Sequence, residues 1–484
     1  LVVLISLYAL AYAWLSWSAK REWMQTKKEL EARGEKLSLV DFIPPPIPDE
    51  DNFYMSPLFV DMFKAPYHSP KNGNGYDQMR IRPVGGEEWS NIINDAKNKR
   101  DSRGMTNLAA YADLLRTSEN KDQSASAIIL HAFEQRQDLW NELYKAAEKP
   151  EARFPTQYEK LIGAPLPHIS AVMGLSNMLS LRSVAYMEAG NSKDAARDIM
   201  LIFRLSDSLT HEPFLISSLV RIAVVSMASS KIWEGLERHV WSGEQLQNFE
   251  KQLALQNPRE WLIFILRGER GIIDEWLSVA IKGDKGSHHA FVEGIYTSME
   301  LANVQPWTSK QVARWWAWMI PWDRLYSDMS VCAIQFQRNV DSLNSGVEIG
   351  FNVRNEPAPL NKSMLWTHPV AHIFLDGFSG IFRKYASIQV RLDMTRIACA
   401  LERYKMVKGD YPEKLHALVP QSIAKLPDDV TVAAPYHYRR NALDNFTLWS
   451  VGFDGVDNNA APVVYVKDKG AANTGDWVWG TLLH

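Results

Sequence analysis

Cysteine is scarce in this chain, which contains only Cys332 and Cys399 among its 484 residues. Two thiols are too few for a disulfide framework or for a four-cysteine zinc site. They could form one disulfide in an oxidising compartment, but an isolated cysteine usually packs as a small apolar residue. We therefore favour two buried free thiols.

An excess of charge of one sign is also missing. The 53 basic and 56 acidic residues leave a net charge of −3, and the pI is about 6.5. Binding to nucleic acid needs a concentrated basic surface, so we expect no nucleic-acid partner. Apolar residues make up 46% and charged residues 23%, which is typical of globular proteins with a buried core. The length suits two to four domains of about 150 residues each.

Catalytic signatures are absent as well, because the sequence has no G-x-S-x-G nucleophile elbow, Walker loop or dinucleotide fingerprint. His368 and His372 have the i, i+4 spacing of a helical metal pair. However, Pro369 follows the first histidine and no glutamate lies between the two. We interpret both histidines as structural. The sequence thus assigns no catalytic residue, which favours a protein that is not an enzyme.

A long apolar run opens the chain. Residues Leu1–Trp17 carry no charge, and the first charged residue is Lys20. About 19 helical residues span roughly 29 Å, which is close to the hydrocarbon thickness of a bilayer. Tyr12, Trp14 and Trp17 lie near the end of the run, where an aromatic belt would meet the membrane surface. The run predicts one transmembrane helix.

Two alternatives to a membrane anchor remain. The stretch 16–20, SWSAK, is a weak signal-peptide cleavage site, and a buried core helix is the other alternative. The helical pattern continues without a break as far as Gly34, which favours the anchor. Orientation is not determined, because acidic residues are mixed with the basic ones that follow and the other flank is needed for the positive-inside rule.

Proline marks the segment after this helix. Its run FIPPPIPDEDNF predicts a stiff polyproline spacer, and a stretch rich in Pro, Gly and Asn follows. The predicted plan is a transmembrane anchor with its helical extension at 1–41, a stalk and irregular linker at 42–86, an all-helical body at 87–345, a linker at 346–377, and a long helix with an antiparallel sheet at 378–484.

Apolar residues at helical spacing predict that the body is all α-helical. The predicted helices are Ser124–Lys149, His168–Gly190, Ser192–His211, Phe214–Arg238, Ser242–Leu255, Glu260–Lys282, Ala290–Leu301, Ser309–Ile320 and Trp322–Leu343. The second and third resemble one tetratricopeptide unit, because Ala185, Tyr186 and Gly190 match its pattern. No second copy follows at a ~34-residue period. The fold class is therefore mainly α, with a tetratricopeptide-like hairpin in the body.

The C-terminal region changes character. A long helix is predicted at Phe378–Val407, with a turn at Gly409 and Asp410. Short strands are predicted at 436–439, 446–451, 463–466 and 477–479. These elements predict a small α/β module in which an antiparallel sheet packs on the long helix.

This module resembles the C-terminal part of the major pseudopilin of type II secretion systems. The matching residues are, in order, Ala398, Leu401, Glu402, Tyr404, Gly409–Pro412, Leu415, Leu418, Val419, Pro427, Pro435, Tyr436, Tyr438, Ser450–Gly452, Asp454 and Gly455. The resemblance covers the C-terminal ~85 of the 484 residues. Pseudopilins carry this module directly behind a hydrophobic helix with a characteristic glutamate. That arrangement is absent here, so the chain is not expected to be a pilus subunit.

The pseudopilin resemblance implies a calcium site, because the loop after this turn binds calcium in that family. The corresponding oxygen ligands here are Asp454, Asp457, Asn459 and Asp476. Calcium takes six to eight oxygen ligands, of which this loop could supply several. The alternative is a solvated turn, because tight turns favour Asp, Asn and Gly in any case. Calcium is the one cofactor that the sequence suggests.

Tryptophan is abundant, with 18 residues, several of which cluster in the stretch PWTSKQVARWWAWMIPWDRL. Trp315, Trp318 and Trp322 share a helical face, and Trp307 precedes them, although Pro321 could break the helix. One interpretation is a core helix. The other is a helix that contacts lipid headgroups or a partner protein, since tryptophan suits sites that are apolar at one end and wet at the other.

These features predict a single-pass protein of a bacterial cell membrane, with the body in the periplasm. A stalk of the PPPIPDEDNF type and an end of the DWVW type also resemble other bacterial single-pass proteins, which implies no activity. The leading function is a scaffold or accessory subunit that docks to partner proteins of an envelope complex, with the lipid bilayer as a further partner. The alternatives are a membrane-tethered hydrolase, with a cleft between body and module, and a solute-binding sensor.

Overall fold

The fold of the chain is known from a computed structural model. It describes residues 2–64, 89, 91–93, 99–283, 288, 291, 321–344, 368–378, 380–441, 445–463 and 475–481. Trp307, Trp315 and Trp318 lie outside the described residues, and so do the predicted helices at 290–301 and 309–320 apart from Phe291. The predicted linker at 346–377 and the predicted strand at 463–466 lie mostly outside them.

The described chain is mainly helical, as the sequence predicted. The helices are α1 (Val2–Ala32), α2 (Pro57–Lys64), α3 (Leu108–Ala112), α4 (Ala125–Glu134), α5 (Gln137–Ala147), α6 (Pro167–Glu188), α7 (Ser192–Asp207), α8 (Leu215–Glu237), α9 (Gly243–Ala254), α10 (Pro258–Lys282), α11 (Leu325–Asn344), α12 (Pro369–Gly377) and α13 (Ile381–Lys408). Single turns of 3₁₀ helix and short loops connect several of them.

The predicted hairpin is formed by α6 and α7, which pack along each other. Gly190 ends the first helix with φ = +76°, a conformation that glycine adopts without steric cost. The N-cap of α7 is Asn191, whose side chain accepts a hydrogen bond from the Asp194 amide.

The predicted helix Ser124–Lys149 is two helices, α4 and α5, so that prediction was wrong in one respect. The break falls at Arg136, whose backbone has φ = −122° and ψ = 33°. Phe133 and Trp140 lie on either side of the corner with their rings 5.6 Å apart, and the indole N–H donates to the Phe133 carbonyl oxygen. The apolar spacing therefore continues through the corner. For this reason, periodicity alone did not reveal the break between α4 and α5.

One hydrophobic core connects most of the described helices. It extends from Trp23 of α1 through the body to Cys399 of α13. Phe53 and Tyr54, in the segment predicted as a stalk, are fully buried within it. The proposed domain boundaries stay a prediction. Cys332 and Cys399 are free and buried, as favoured from the sequence.

The C-terminal strands form two small antiparallel sheets. The first pairs β1 (Asp428–Asp429) with β2 (Ala434–Pro435), and the second has the order β3–β4–β5, with β3 His437–Asn441, β4 Asn445–Ser450 and β5 Trp477–Val478. In the second sheet, His437 pairs with Trp449 and Ser450 pairs with Trp477. The sheet residues Leu448 and Trp477 share a core with Leu401 of α13, which confirms the predicted packing of a small sheet on the long helix.

Candidate functional site

Helix α1 has two halves with opposite surroundings. Its first half, Val2–Trp17, is largely exposed, with Leu7 at 58%, Leu10 at 67% and Trp14 at 63%. From Ala19 onward one face is buried against α11. An exposed apolar helix of this length is costly in water and favourable in a bilayer. Helix α1 is long and apolar enough to span a membrane.

Among the described residues, one further helix, α8, is long and apolar enough to span a membrane, but 61% of its apolar stretch is buried in the body. It is therefore explained as a core helix. A signal sequence can also have this length and apolar composition. Helix α1 differs from a simple leader because its second half contributes Trp23 and Leu30 to the core of the body. Removing all of α1 would take these side chains out of that core.

A cluster of buried charges holds the end of α1 against the body. The Glu35 carboxylate accepts hydrogen bonds from Arg267 at 2.8 and 3.0 Å and from Arg270 at 2.9 Å. Arg270 also donates to Gln337 of α11 at 2.6 Å. Burial by itself would raise the pKa of Glu35, but the hydrogen bonds from the two arginines outweigh it and lower that pKa to about 2. We call Glu35, Arg267, Arg270 and Gln337 the ionic latch.

The carboxyl group of Asp274 lies near the latch, and neighbouring positive charges compensate its negative charge only in part. Burial raises the pKa of Asp274 from its ordinary 3.8 to about 8, and the nearby Lys27 and Arg270 reduce this effect only in part. In the unfolded chain this carboxyl ionises near its ordinary pKa, whereas in the folded chain it keeps its proton up to about pH 8. Asp274 therefore makes stability fall as the pH rises from about 4 to 8.

We expect the Asp274→Asn variant to lose less stability than the wild type between pH 5 and pH 8, because an amide has no charge to bury. The measurement is thermal unfolding of the full chain in a nonionic detergent at both pH values. Glu275→Gln is the matched control, since Glu275 is the exposed neighbour on the same helix. Its charge makes only the smallest contribution to the raised pKa of Asp274, so this variant should change the decline far less than Asp274→Asn does. An equal decline for wild type and Asp274→Asn would contradict this assignment.

Trp322 lies where the exposed half of α1 meets the body. Its ring stacks on His288, with 3.7 Å between centroids, and the turn 322–324 contacts α1. The hydroxyl of Ser327 donates to Glu22 at 3.0 Å, and Arg33 of α1 pairs with Asp341 at 2.7 Å. The two pairs show that α1 and α11 run parallel.

Since the helices are parallel, Trp322 lies on the side of Ser327 that is nearer the exposed half of α1, level with its last exposed turns. This is the position that an aromatic belt residue would occupy at the surface of a bilayer. Trp322 is half-buried and packs with the partly buried side chains around the core. Contact of the tryptophan cluster with lipid or a partner stays a prediction.

The four predicted calcium ligands belong to one loop, because the pairing of β5 with β4 brings Asp476 back to residues 454–459. Asp454 accepts hydrogen bonds from the amides of Val456 and Gly475, at 3.0 and 3.1 Å. Asp476, which is 1% exposed, accepts from the amides of Asn458 and Ala460, the latter at 2.7 Å.

Asp457 accepts hydrogen bonds from the Trp449 indole at 3.0 Å and from the Asn459 amide at 2.9 Å. The carboxylates of this loop thus bind its own N–H groups, as in Asx turns. Within the described residues, no group of three or more His, Cys, Asp or Glu side chains is placed to hold a metal ion. Calcium binding by this loop stays a prediction.

A cleft of about 190 Å³ lies where the body meets the C-terminal module. Glu402 of α13 lines this cleft. One of its carboxylate oxygens is 2.7 Å from His239 Nδ1, and the other accepts a hydrogen bond from the Tyr411 hydroxyl at 2.7 Å. Glu237 also lines the cleft, and burial raises its pKa although Trp233 donates a hydrogen bond to it. A carboxyl group with a raised pKa is the kind of group that general acid–base catalysis uses.

Comparison of the chain with family models, with curated proteins and with solved structures finds no match. The geometry itself brings the predicted loop ligands together and places Trp322 beside α1. Sequence reasoning missed Glu237, His239 and the latch residue Glu35. Glu35 and His239 lie in no local motif, because their partners come from distant parts of the chain.

Proposed function

We propose that the protein is a membrane-anchored scaffold or accessory subunit that docks to partner proteins of a bacterial envelope complex, with its body in the periplasm. The observation that carries the proposal is the division of α1 into an exposed apolar half and a half built into the core. A helix of this kind fixes the body to the bilayer without a flexible joint.

The ionic latch supports this role. Arg270 is 1% exposed on its side chain and joins Glu35, just after α1, to Gln337 of α11. Buried charged groups that are hydrogen-bonded on several sides hold their elements in one relative orientation. A body held in one orientation presents the same surface to every neighbour in the membrane plane, which raises the effective concentration of a docking site for its partner.

The candidate partners follow from the pseudopilin resemblance of the C-terminal module. A secretion or pilus-like apparatus would contain subunits with the same module, beside which a membrane-bound accessory protein could pack. The small sheets and the aromatic residues around Trp477 and Trp449 are at the end of the chain that carries this resemblance. We propose this end as the docking region.

The test is purification of the intact protein from its native membrane in a mild detergent, with mass spectrometry of what accompanies it. We expect stoichiometric recovery of a defined set of membrane or envelope proteins. The control is a Leu7→Arg/Leu10→Arg variant, whose α1 cannot insert and which should lose these partners. Recovery of the wild-type protein alone, from a preparation in which other membrane complexes stay intact, would contradict the scaffold proposal.

A second candidate function, a membrane-tethered hydrolase, is favoured by one observation. The cleft with Glu237, His239 and Glu402 holds two carboxyl groups in one cavity, and burial raises the pKa of Glu237. General acid–base catalysis uses carboxyl groups whose pKa is raised in this way. At about 190 Å³ the cleft is smaller than the 300–1,000 Å³ typical of ligand pockets, which ranks this candidate second.

A further inference from the structure

A second cavity, of about 260 Å³, lies between α6, α8 and the residues that precede and form α3. Four cationic side chains line it, namely Lys99, Arg100, Lys231 and Arg391. Among the described residues, no acidic side chain lines the cavity. Basic residues collected around a concave space are the arrangement that proteins use to bind anions.

One of these charges is already compensated. Lys231 is buried and forms an ion pair with Glu234, one helical turn further along α8, and it donates to the Thr106 hydroxyl at 2.6 Å. Glu234 in turn accepts from the Thr106 amide at 3.1 Å. Lys99 and Arg100 form no ion pair within the described residues, and they remain as the excess positive charge around the cavity.

Two buried serine hydroxyls supply an independent observation. Ser180 and Ser230 are 8% and 3% exposed, line the cavity, and have no hydrogen-bond partner within the described part of the chain. A buried hydroxyl without a partner costs about 1–3 kcal/mol. Such a group normally has an explanation, and a bound ligand is one.

Other serines on the same two helices behave differently. Ser176 donates to the Val172 carbonyl at 2.7 Å, and Ser229 donates to the Val225 carbonyl at 3.0 Å. This bond to the preceding turn is the usual arrangement for a helical serine. Ser180 and Ser230, which line the cavity, do not make it. Their hydroxyl groups are therefore available as donors to whatever occupies the cavity.

We propose that this cavity binds a phosphate group, either free or carried on a small molecule or a lipid headgroup. Lys99 and Arg100 provide the attracting charge, and the hydroxyls of Ser180 and Ser230 donate hydrogen bonds to phosphate oxygens. The volume suits an ion or a compact phosphate ester, because it lies just below the range of pockets for larger ligands. This site goes beyond the tethering role and does not depend on it.

The first experiment measures thermal unfolding and isothermal titration of the full chain in a nonionic detergent with inorganic phosphate, at constant ionic strength set with chloride. Parallel titrations use glycerol phosphate and an anionic phospholipid in mixed micelles. We expect saturable binding of phosphate and a rise in Tm. Tighter binding of glycerol phosphate identifies a small-molecule ester, and tighter binding of the phospholipid identifies a headgroup. Absence of saturable binding in all three titrations overturns the proposal.

The second experiment locates the site with Ser180→Ala/Ser230→Ala. This double variant keeps the shape of the cavity and removes two hydroxyls that have no hydrogen-bond partner among the described residues, so Tm without ligand should not fall. We expect phosphate affinity to fall about tenfold or more. The matched control is Ser176→Ala/Ser229→Ala on the same helices, which should bind phosphate with unchanged affinity. Equal affinity in the wild type and Ser180→Ala/Ser230→Ala would overturn the assignment of the site.

Discussion

Arginine at both Leu7 and Leu10 should release the protein from the membrane. Each arginine near the centre of a membrane-spanning helix costs about 2.5–3.5 kcal/mol on the insertion scale, so the pair costs roughly 5–7 kcal/mol. The two leucines are 58% and 67% exposed, so their replacement leaves the packing of the body unchanged. We expect the wild type to resist carbonate extraction and to float with membranes, and the variant to appear in the soluble fraction.

The matched control is Met24→Arg. Met24 is also exposed, at 63%, but lies in the half of α1 that follows the apolar run, so this variant should stay in the membrane. Intact mass of the membrane-bound wild type should include the whole of α1. A Leu7→Arg/Leu10→Arg variant that remains membrane-bound would contradict α1 as the anchor and point to the tryptophan-rich segment. A mature protein without Val2–Trp17 would identify a cleaved signal sequence.

Local patterns predicted the elements of this fold well where packing agrees with periodicity. The apolar spacing of α6 and α7 and the glycine stop at Gly190 both reflect local backbone physics, which one sequence contains. Strands β3 and β4 were predicted because alternating and β-branched or aromatic residues favour extended chain. The break at Arg136 was not predicted, since the apolar pattern of α4 continues into α5.

Pairings across long distances in the chain could not be predicted in this way. Glu35 meets Arg270 across 235 residues, and His239 meets Glu402 across 163. Neither pair has a local signature, because an isolated charged residue such as Glu or Arg is usually a solvated surface residue. The family resemblance grouped Asp476 with the loop at 454–459, and Asp476 does accept hydrogen bonds from the amides of Asn458 and Ala460. Calcium binding by these residues stays a prediction.

The cavity lined by Ser180 and Ser230 could not be predicted from the sequence either. Ser180 and Ser230 lie on helices whose sequences indicate ordinary buried faces, and nothing in the spacing marks these serines as different from Ser176 or Ser229. The difference arises only when α6 and α8 pack beside Lys99 and Arg100. A site that is formed by the packing of four separate segments is therefore visible in the structure and not in the sequence.

Loss of a buried ion pair in the α6–α7 hairpin should have a large effect on stability. Asp198 is fully buried and accepts hydrogen bonds from Arg182 at 2.6 and 2.7 Å and from the Tyr144 hydroxyl at 3.1 Å. The Arg182 guanidinium also lies 3.8 Å from the centre of the Trp140 ring. Replacing Asp198 with alanine leaves Arg182 buried without its carboxylate, which should lower the free energy of unfolding by about 3–5 kcal/mol.

The double variant Arg182→Met/Asp198→Leu separates two explanations of that loss. If the loss comes from an uncompensated charge, replacing both partners with apolar side chains of similar size should restore most of the stability. Urea unfolding of the full chain in nonionic detergent measures all variants, with Asp113→Ala as control. Asp113 pairs with Arg116 on the surface, so its loss should cost less than about 1 kcal/mol. A double variant as unstable as Asp198→Ala would show that the hydrogen bonds themselves, rather than charge compensation, hold α6 and α7 together.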